Sequence, residues 1–169
     1  TPVSADGGLA ASGLAQLGRE TWTRDVGLAG NWVRDIVRGP DGFLWVATAG
    51  GLSRFDGRSF VNFTAPSDPA LPSSSVASLA LGSGGRIWLG LEHGGILALE
   101  NGRLRAVPAL SGLPPVVIHS LVETADGVLW IGSSAGLWRS GLAGLERLAP
   151  SAASARSQSS SIISTQVIT

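Results

Sequence analysis

The chain has 169 residues, a formal net charge of zero, 44% hydrophobic and 14% charged residues, and no cysteine. That composition can bury a core, and it excludes disulfides, thiol nucleophiles and thiolate metal sites. The basic residues are scattered, without the concentrated positive surface of a nucleic-acid binder, and no apolar run approaches the roughly 20 residues that span a bilayer.

Residues 1–15, rich in Gly, Ala and Ser, read as a disordered leader. No basic-then-apolar signal peptide opens at Thr1. Residues 16–23 have the pattern of an extra strand ending on Trp22, and Gly27 to Asn31 form a turn-like connection. Val33 to Arg38 is then expected to be a strand, with Gly39-Pro40-Asp41-Gly42 as its turn. Asp-Gly between apolar runs signals a hairpin, because Gly reaches the positive φ that a tight turn needs. Phe43–Thr48, Leu52–Phe55 and Phe60–Phe63 complete a four-strand meander, with turns at Gly50-Gly51 and Asp56-Gly57.

The same order returns twice. The strands of the second unit are Val76–Leu81, Arg86–Leu91, Ile96–Leu99 and Leu104–Val107. Those of the third are Ile118–Glu123, Val128–Ser133, Leu137–Arg139 and Leu145–Leu148. Trp45, Trp88 and Trp130 recur at spacings of 43 and 42 residues, each three residues after a turn glycine: Gly42, Gly85 and Gly127. Leu28, Leu71 and Leu113 share the same offset. A period just above forty, with four strands per unit, points to blades of a β-propeller. The expected fold is therefore all-β, a partial β-propeller of about three four-stranded antiparallel blades. It occupies residues 16–149, with blades at 32–64, 75–108 and 117–149. Residues 150–169 hold seven serines, with Ile162 and Ile163 near the place of a next inner strand. They read as a Ser-rich tail or the start of a fourth blade. Three blades cannot close a ring, so self-association or the remaining blades of a larger propeller are expected partners, a two-chain seven-bladed ring being one arrangement.

Large repeated rings are expected to fill the space between blades, so Trp45, Trp88 and Trp130 read as packing groups rather than ligand platforms. Inner strands border a propeller's channel, which makes Arg34, Asp35, Ser78, His119 and Ser120 candidate ligand-binding residues; the competing role is to satisfy hydrogen bonds at blade edges. Asn31 and Trp32, in the loop entering the first inner strand, join them, because Trp32 has no aromatic counterpart at Ser75 or Val117. His93 beside Glu92, and His119 four residues before Glu123, are the only acid–base or metal candidates, yet no second ligand stands at metal spacing. Asp41, Asp56 and Asp126 precede turn glycines, so turn chemistry explains them better than calcium. No metal, cofactor or catalytic set is expected.

The run Asn31-Trp32-Val33, then Asp41-Gly42-Phe43-Leu44-Trp45-Val46-Ala47-Thr48, then Gly50-Gly51-Leu52-Ser53-Arg54-Phe55-Asp56-Gly57, resembles the two-component regulator propeller repeat. The match is fullest over residues 22–63 and extends more weakly to 148. The resemblance implies a periplasmic sensor region of a bacterial receptor, whose histidine kinase or diguanylate cyclase output lies beyond a membrane helix. It implies signal input without catalysis, through an unidentified small-molecule ligand, with carbohydrate as one class. With three units and no output domain, the chain looks like a fragment of such a receptor. The alternatives are a lyase-like propeller enzyme similar to the streptogramin lyases, which use His, Glu and magnesium, and an architectural, protein-binding propeller piece.

Overall fold

The computed structural model describes residues 20–141 and 144–148. Every regular element in that range is a β-strand or a single 3-10 turn. The first sheet is β1 (Val33–Arg38), β2 (Leu44–Thr48), β3 (Gly51–Phe55) and β4 (Phe60–Phe63). The second is β5 (Val76–Leu81), β6 (Ile87–Leu91), β7 (Ile96–Glu100) and β8 (Arg103–Ala106). The third is β9 (Ile118–Glu123), β10 (Leu129–Ser133), β11 (Gly136–Gly141) and β12 (Gly144–Arg147). Each is an antiparallel meander in chain order. Inner strand β5 lies beside both β1 and β9, so the sheets stack side by side as blades. All three inner strands have the bounds expected from the sequence. Gly42, Gly85 and Gly127 take φ values of 85°, 82° and 81°, the left-handed region that a side chain with Cβ resists.

Of the expected leader and tail, residues 1–19 and 149–169 lie outside the described residues. So does the first half of the proposed strand at 16–23; Glu20 to Thr23 pair with no strand and lead into a 3-10 turn at Arg24–Val26.

Two cores hold the stack. Trp45, Ala47 and Leu52 of the first blade pack with Leu79, Leu89 and Leu97 of the second. Trp88, Ile96 and Ala98 of the second blade pack with Leu121, Leu129 and Ile131 of the third. Trp45 is 1% exposed and Trp88 5%, but Trp130 is only half-buried. The difference follows from position: each repeated indole packs on the next blade's inner face, and no blade follows the third among the described residues. At the other end, the outer half of blade 1's open face is covered by the chain's own approach. Trp22 lies on Phe55 and Phe60, with centroids 4.9 and 6.3 Å away. Ser53 Oγ accepts from the Ala29 amide at 3.0 Å and donates to Asn62 Oδ1 at 2.7 Å, while Asn62 Nδ2 donates to the Gly27 carbonyl at 2.9 Å. Polar Ser53 stands where blade 2 has Leu97, because a main-chain segment and not a hydrophobic blade lies over it.

The two interfaces treat the repeated indole differently. Trp88 Nε1 donates to Glu123 Oε2 at 2.5 Å, and Glu123 Oε1 accepts from the Ser83 amide at 3.0 Å. Partial burial pushes the Glu123 carboxyl upward, but the bonds from Ser83 and Trp88 outweigh it and hold it below the usual carboxylate range. Trp45 Nε1, in the equivalent place, is buried without an acceptor. The residue facing it by repeat is Leu81, the half-exposed last residue of β5, as Glu123 is the last of β9. Leu81→Glu is therefore expected to stabilise the protein by about 1 kcal/mol, by supplying the missing acceptor. A higher urea midpoint at unchanged slope is the expected result.

Candidate functional site

The residues singled out in the inner strands meet at one structural irregularity. β1 pairs with β2 through Val33↔Thr48 and then Asp35↔Ala47, which leaves Arg34 unpaired. β5 skips Ala77 in the same way, and β9 skips His119. Each inner strand thus carries a β-bulge at the same repeat position. A bulge re-aims its extra side chain out of the ladder, and Arg34 and His119 are exposed while Ala77 is half-buried. The bulges gather Arg34, Ala77 and His119 into one row near the start of the three inner strands.

The same end of the stack carries the loops. The carbonyls of Trp32, Ser75 and Val117 accept from the amides of Ala49, Glu92 and Ser134, tying the entry of each inner strand to the turn after the second strand of its blade. Trp32 is 75% exposed, while Asn31 is committed, its Oδ1 accepting from the Arg24 amide at 2.6 Å. Arg34 reaches across the blade boundary, donating from Nη2 to Glu92 Oε1 at 2.8 Å. The Ser75 hydroxyl donates to the other oxygen of Glu92. That hydroxyl is the main cause holding Glu92 below its ordinary value; burial opposes it, and the Arg34 guanidinium adds to the lowering. Both members of the ion pair are about one-third exposed, so its stabilising effect is slight. Its significance is positional, because it joins blade 1 to blade 2 at the row of bulges.

Asp35 makes a second crossing. Its Oδ2 accepts from the Leu79 amide at 2.8 Å, and its Oδ1 from the Ile36 amide at 2.8 Å. This carboxylate is spent on blade docking, the blander of the two roles considered for it. Ser78 is buried, its Oγ without a partner and directed at Gly90 within its own sheet, and Ser120 is directed likewise at Gly132. The structure thus groups Trp32, Arg34 and His119 at an accessible rim and turns Asp35 and Ser78 inward, while Ser120 lies over Gly132 and stays exposed. His93 sits in the β6–β7 turn at this same end, where neighbouring Gly94 lies against Pro114 to Val116 on the approach to β9. Among the described residues no group of three His, Asp or Glu side chains could hold a metal ion.

The turn aspartates are accounted for locally. Asp56 Oδ1 accepts from the Arg58 and Ser59 amides, both at 2.7 Å, and Asp126 Oδ1 accepts from Thr124 Oγ1 at 2.5 Å. The amide of Ser59 first, then that of Arg58, lowers Asp56; the Thr124 hydroxyl lowers Asp126. Asp41 Oδ1 accepts from the Phe43 amide at 3.2 Å. A shallow polar groove lined by Glu100, Asn101, Arg103 and Arg105 lies on the outer edge of blade 2, away from this rim. Sequence reasoning did not find the bulges or the Arg34–Glu92 crossing: a bulge is defined by pairing, and the two charges are 58 residues apart.

Comparison with known proteins agrees with the repeat. The model of the family described as "Two component regulator propeller" matches residues 27–50 and 112–135, so the chain carries repeats of this type. The first match contains Asn31, Trp32, Arg34 and Asp35; the second contains His119 and Ser120. Among solved structures, the extracellular domain of BT4673 from B. thetaiotaomicron, described as a hybrid two component system, superposes with a TM-score of 0.63 at 20% identity, over 78% of this chain and 18% of that one. Virginiamycin B lyase from Staphylococcus aureus superposes with a TM-score of 0.56 at 16% identity, over 71% of this chain and 42% of the lyase. The chain thus spans less than half the length of either structure. At these identities the likeness is one of fold. No match is found among curated proteins.

Proposed function

We propose that this chain is a ligand-input segment of a two-component-type receptor, on the periplasmic or extracellular side of the membrane. The observation that carries the proposal is the family match at residues 27–50, which spans the loop and bulged strand presenting Trp32 and Arg34. An exposed indole offers a flat stacking surface, and a guanidinium with free N–H groups offers directional donors. A small molecule held between them would touch Arg34 where it crosses to Glu92, so occupancy would bias how blade 1 sits on blade 2. Differential contact of this kind is what a signalling ligand needs. A sugar or sugar acid suits an aromatic face beside a cation. No helix among the described residues is long and apolar enough to cross a membrane.

The test is a thermal-shift and calorimetric screen of the chain against mono- and oligosaccharides, uronic acids included. The expected result is a saturable rise in melting temperature that Trp32→Ala and Arg34→Ala each remove without lowering the unliganded value by more than a few degrees. Binding unaffected by both substitutions, or no binding across the panel, would contradict the proposal. The lyase-like reading has one point in its favour, the location of His93 and His119 at the same end of the stack. Magnesium-dependent turnover of virginiamycin B, lost in His93→Ala or His119→Ala, would establish it instead.

A further inference from the structure

The two ends of the described stack are unlike and complementary. Each internal interface places one face of a blade, marked by the repeated Trp, against the inner-strand face of the next. Blade 1 still presents part of the receiving face unfilled, at Ile36 on β1 and Leu44 at the start of β2. Ile36 is 55% exposed there, whereas its equivalents Leu79 and Leu121 are 5% and 6% exposed. Leu44, equivalent to buried Ile87 and Leu129, is exposed beside it. The Trp22 segment covers Phe55 and Phe60 on the outer strands and Val46 on β2 is buried, which leaves Ile36 and Leu44 as the accessible part of this face. Blade 3 presents the opposite half. Leu137 is 43% exposed where Ile96 is 4% and Leu52 0%. Val122, equivalent to buried Ala80, is exposed, and half-buried Trp130 pairs with Val122 on one side and Arg139 on the other, with Leu137 opposite Gly132 on the same face.

We propose that these two faces bind each other between copies of this chain, head to tail, with Ile36 and Leu44 of one copy seated on Val122, Trp130 and Leu137 of the next. The occupant is argued from continuity. The same pair of surfaces already meets twice within the chain, between blades 1 and 2 and between blades 2 and 3, and a second copy repeats the inner-strand part of that contact, Ile36 and Leu44 standing where Leu79 and Ile87 or Leu121 and Leu129 stand inside the chain. The interface is heterologous: one patch meets a different patch, so binding leaves one of each free unless a ring closes.

The test is sedimentation velocity of the full chain from micromolar to sub-millimolar concentration. The wild type is expected to show reversible, concentration-dependent mass above the monomer. Ile36→Glu removes the receiving face and Leu137→Glu the opposing one, so each variant alone should sediment as a monomer. An equimolar mixture of the two retains one intact pairing and should form a one-to-one dimer. Leu44→Lys and Val122→Lys form a second pair, should either first variant lose its β-sheet circular dichroism. A wild type that stays monomeric throughout overturns the proposal, as would cover supplied by further blades of the same polypeptide. So does association that survives Ile36→Glu, or a mixture no more associated than its components.

Discussion

Replacing Trp88 by alanine is expected to lower stability by about 3–5 kcal/mol, the range for truncating a buried aromatic residue in a core that relaxes only partly. Trp88 fills the space between blades 2 and 3 and donates to Glu123, so truncation opens a cavity and leaves that carboxylate short of a donor. The same change at Trp130 is expected to cost less than about 2 kcal/mol, because a half-buried ring forfeits less packing and creates no enclosed cavity. Trp88→Phe separates the two contributions: it keeps most of the apolar bulk and loses the hydrogen bond, at an expected cost of about 1–3 kcal/mol. Urea unfolding with slopes compared across the variants checks this, since a changed slope would show the blades uncoupling and not merely weakening. Equal losses at Trp88 and Trp130 would contradict the stacked arrangement.

Gly90→Ala should be the second large effect, again with a control one repeat away. A Cβ at Gly90 would lie 2.4 Å from Ser78 Oγ, 2.5 Å from Ile118 Cγ2 and 2.8 Å from Ile118 Cβ. The serine can rotate. Ile118 cannot, being fully buried at the start of β9 with the third blade behind it. Overpacking of that kind typically costs 1–3 kcal/mol. A Cβ at Gly132 meets only Ser120 Oγ within 3.5 Å, at 2.4 Å, and Ser120 is exposed. Gly132→Ala is therefore expected to change stability by less than about 0.5 kcal/mol. Adding Ile118→Ala to Gly90→Ala should cost less than the sum of the two substitutions made separately, because alanine lacks the Cγ2 that the new Cβ meets. Thermal unfolding of the three single variants and the double variant reads out both expectations. Gly132→Ala as harmful as Gly90→Ala would mean that the glycines serve the backbone and not the neighbouring blade.

Most of the blade architecture was legible in the sequence, because each unit states it with local chemistry. Asp-Gly and Gly-Gly turns bracket the strands, and inner strands β1, β5 and β9 fall where the apolar runs predict. Less legible was how the units differ. Trp45, Trp88 and Trp130 look alike in the sequence, yet position in the stack decides their burial and the neighbouring blade decides whether their N–H is satisfied. Leu81 and Glu123 answer the same indole position in opposite ways, and only the inter-blade geometry shows that they do. The candidate site was legible in part. Trp32 stood out through its lack of an aromatic counterpart, and the polar row containing Arg34 and His119 was visible by alignment of the units. Asp35, Ser78 and Ser120 form a second row that the sequence offers on equal terms, because a strand's period does not reveal the bulge that turns Arg34 and His119 out of the ladder. The covering of blade 1 by Trp22 was not legible either, since a lone Trp before a glycine turn fits a strand as well as a cap.

Hydrogen exchange of the indole N–H groups, followed in nitrogen-15 spectra with each signal assigned by substitution, tests most directly whether the repeated tryptophans are successive wedges in one stack. Trp45 and Trp88 are expected to exchange slowly, Trp130 measurably faster, and Trp32 at a rate close to that of free indole. A Trp45 or Trp88 signal exchanging as fast as that of Trp32 would contradict the account.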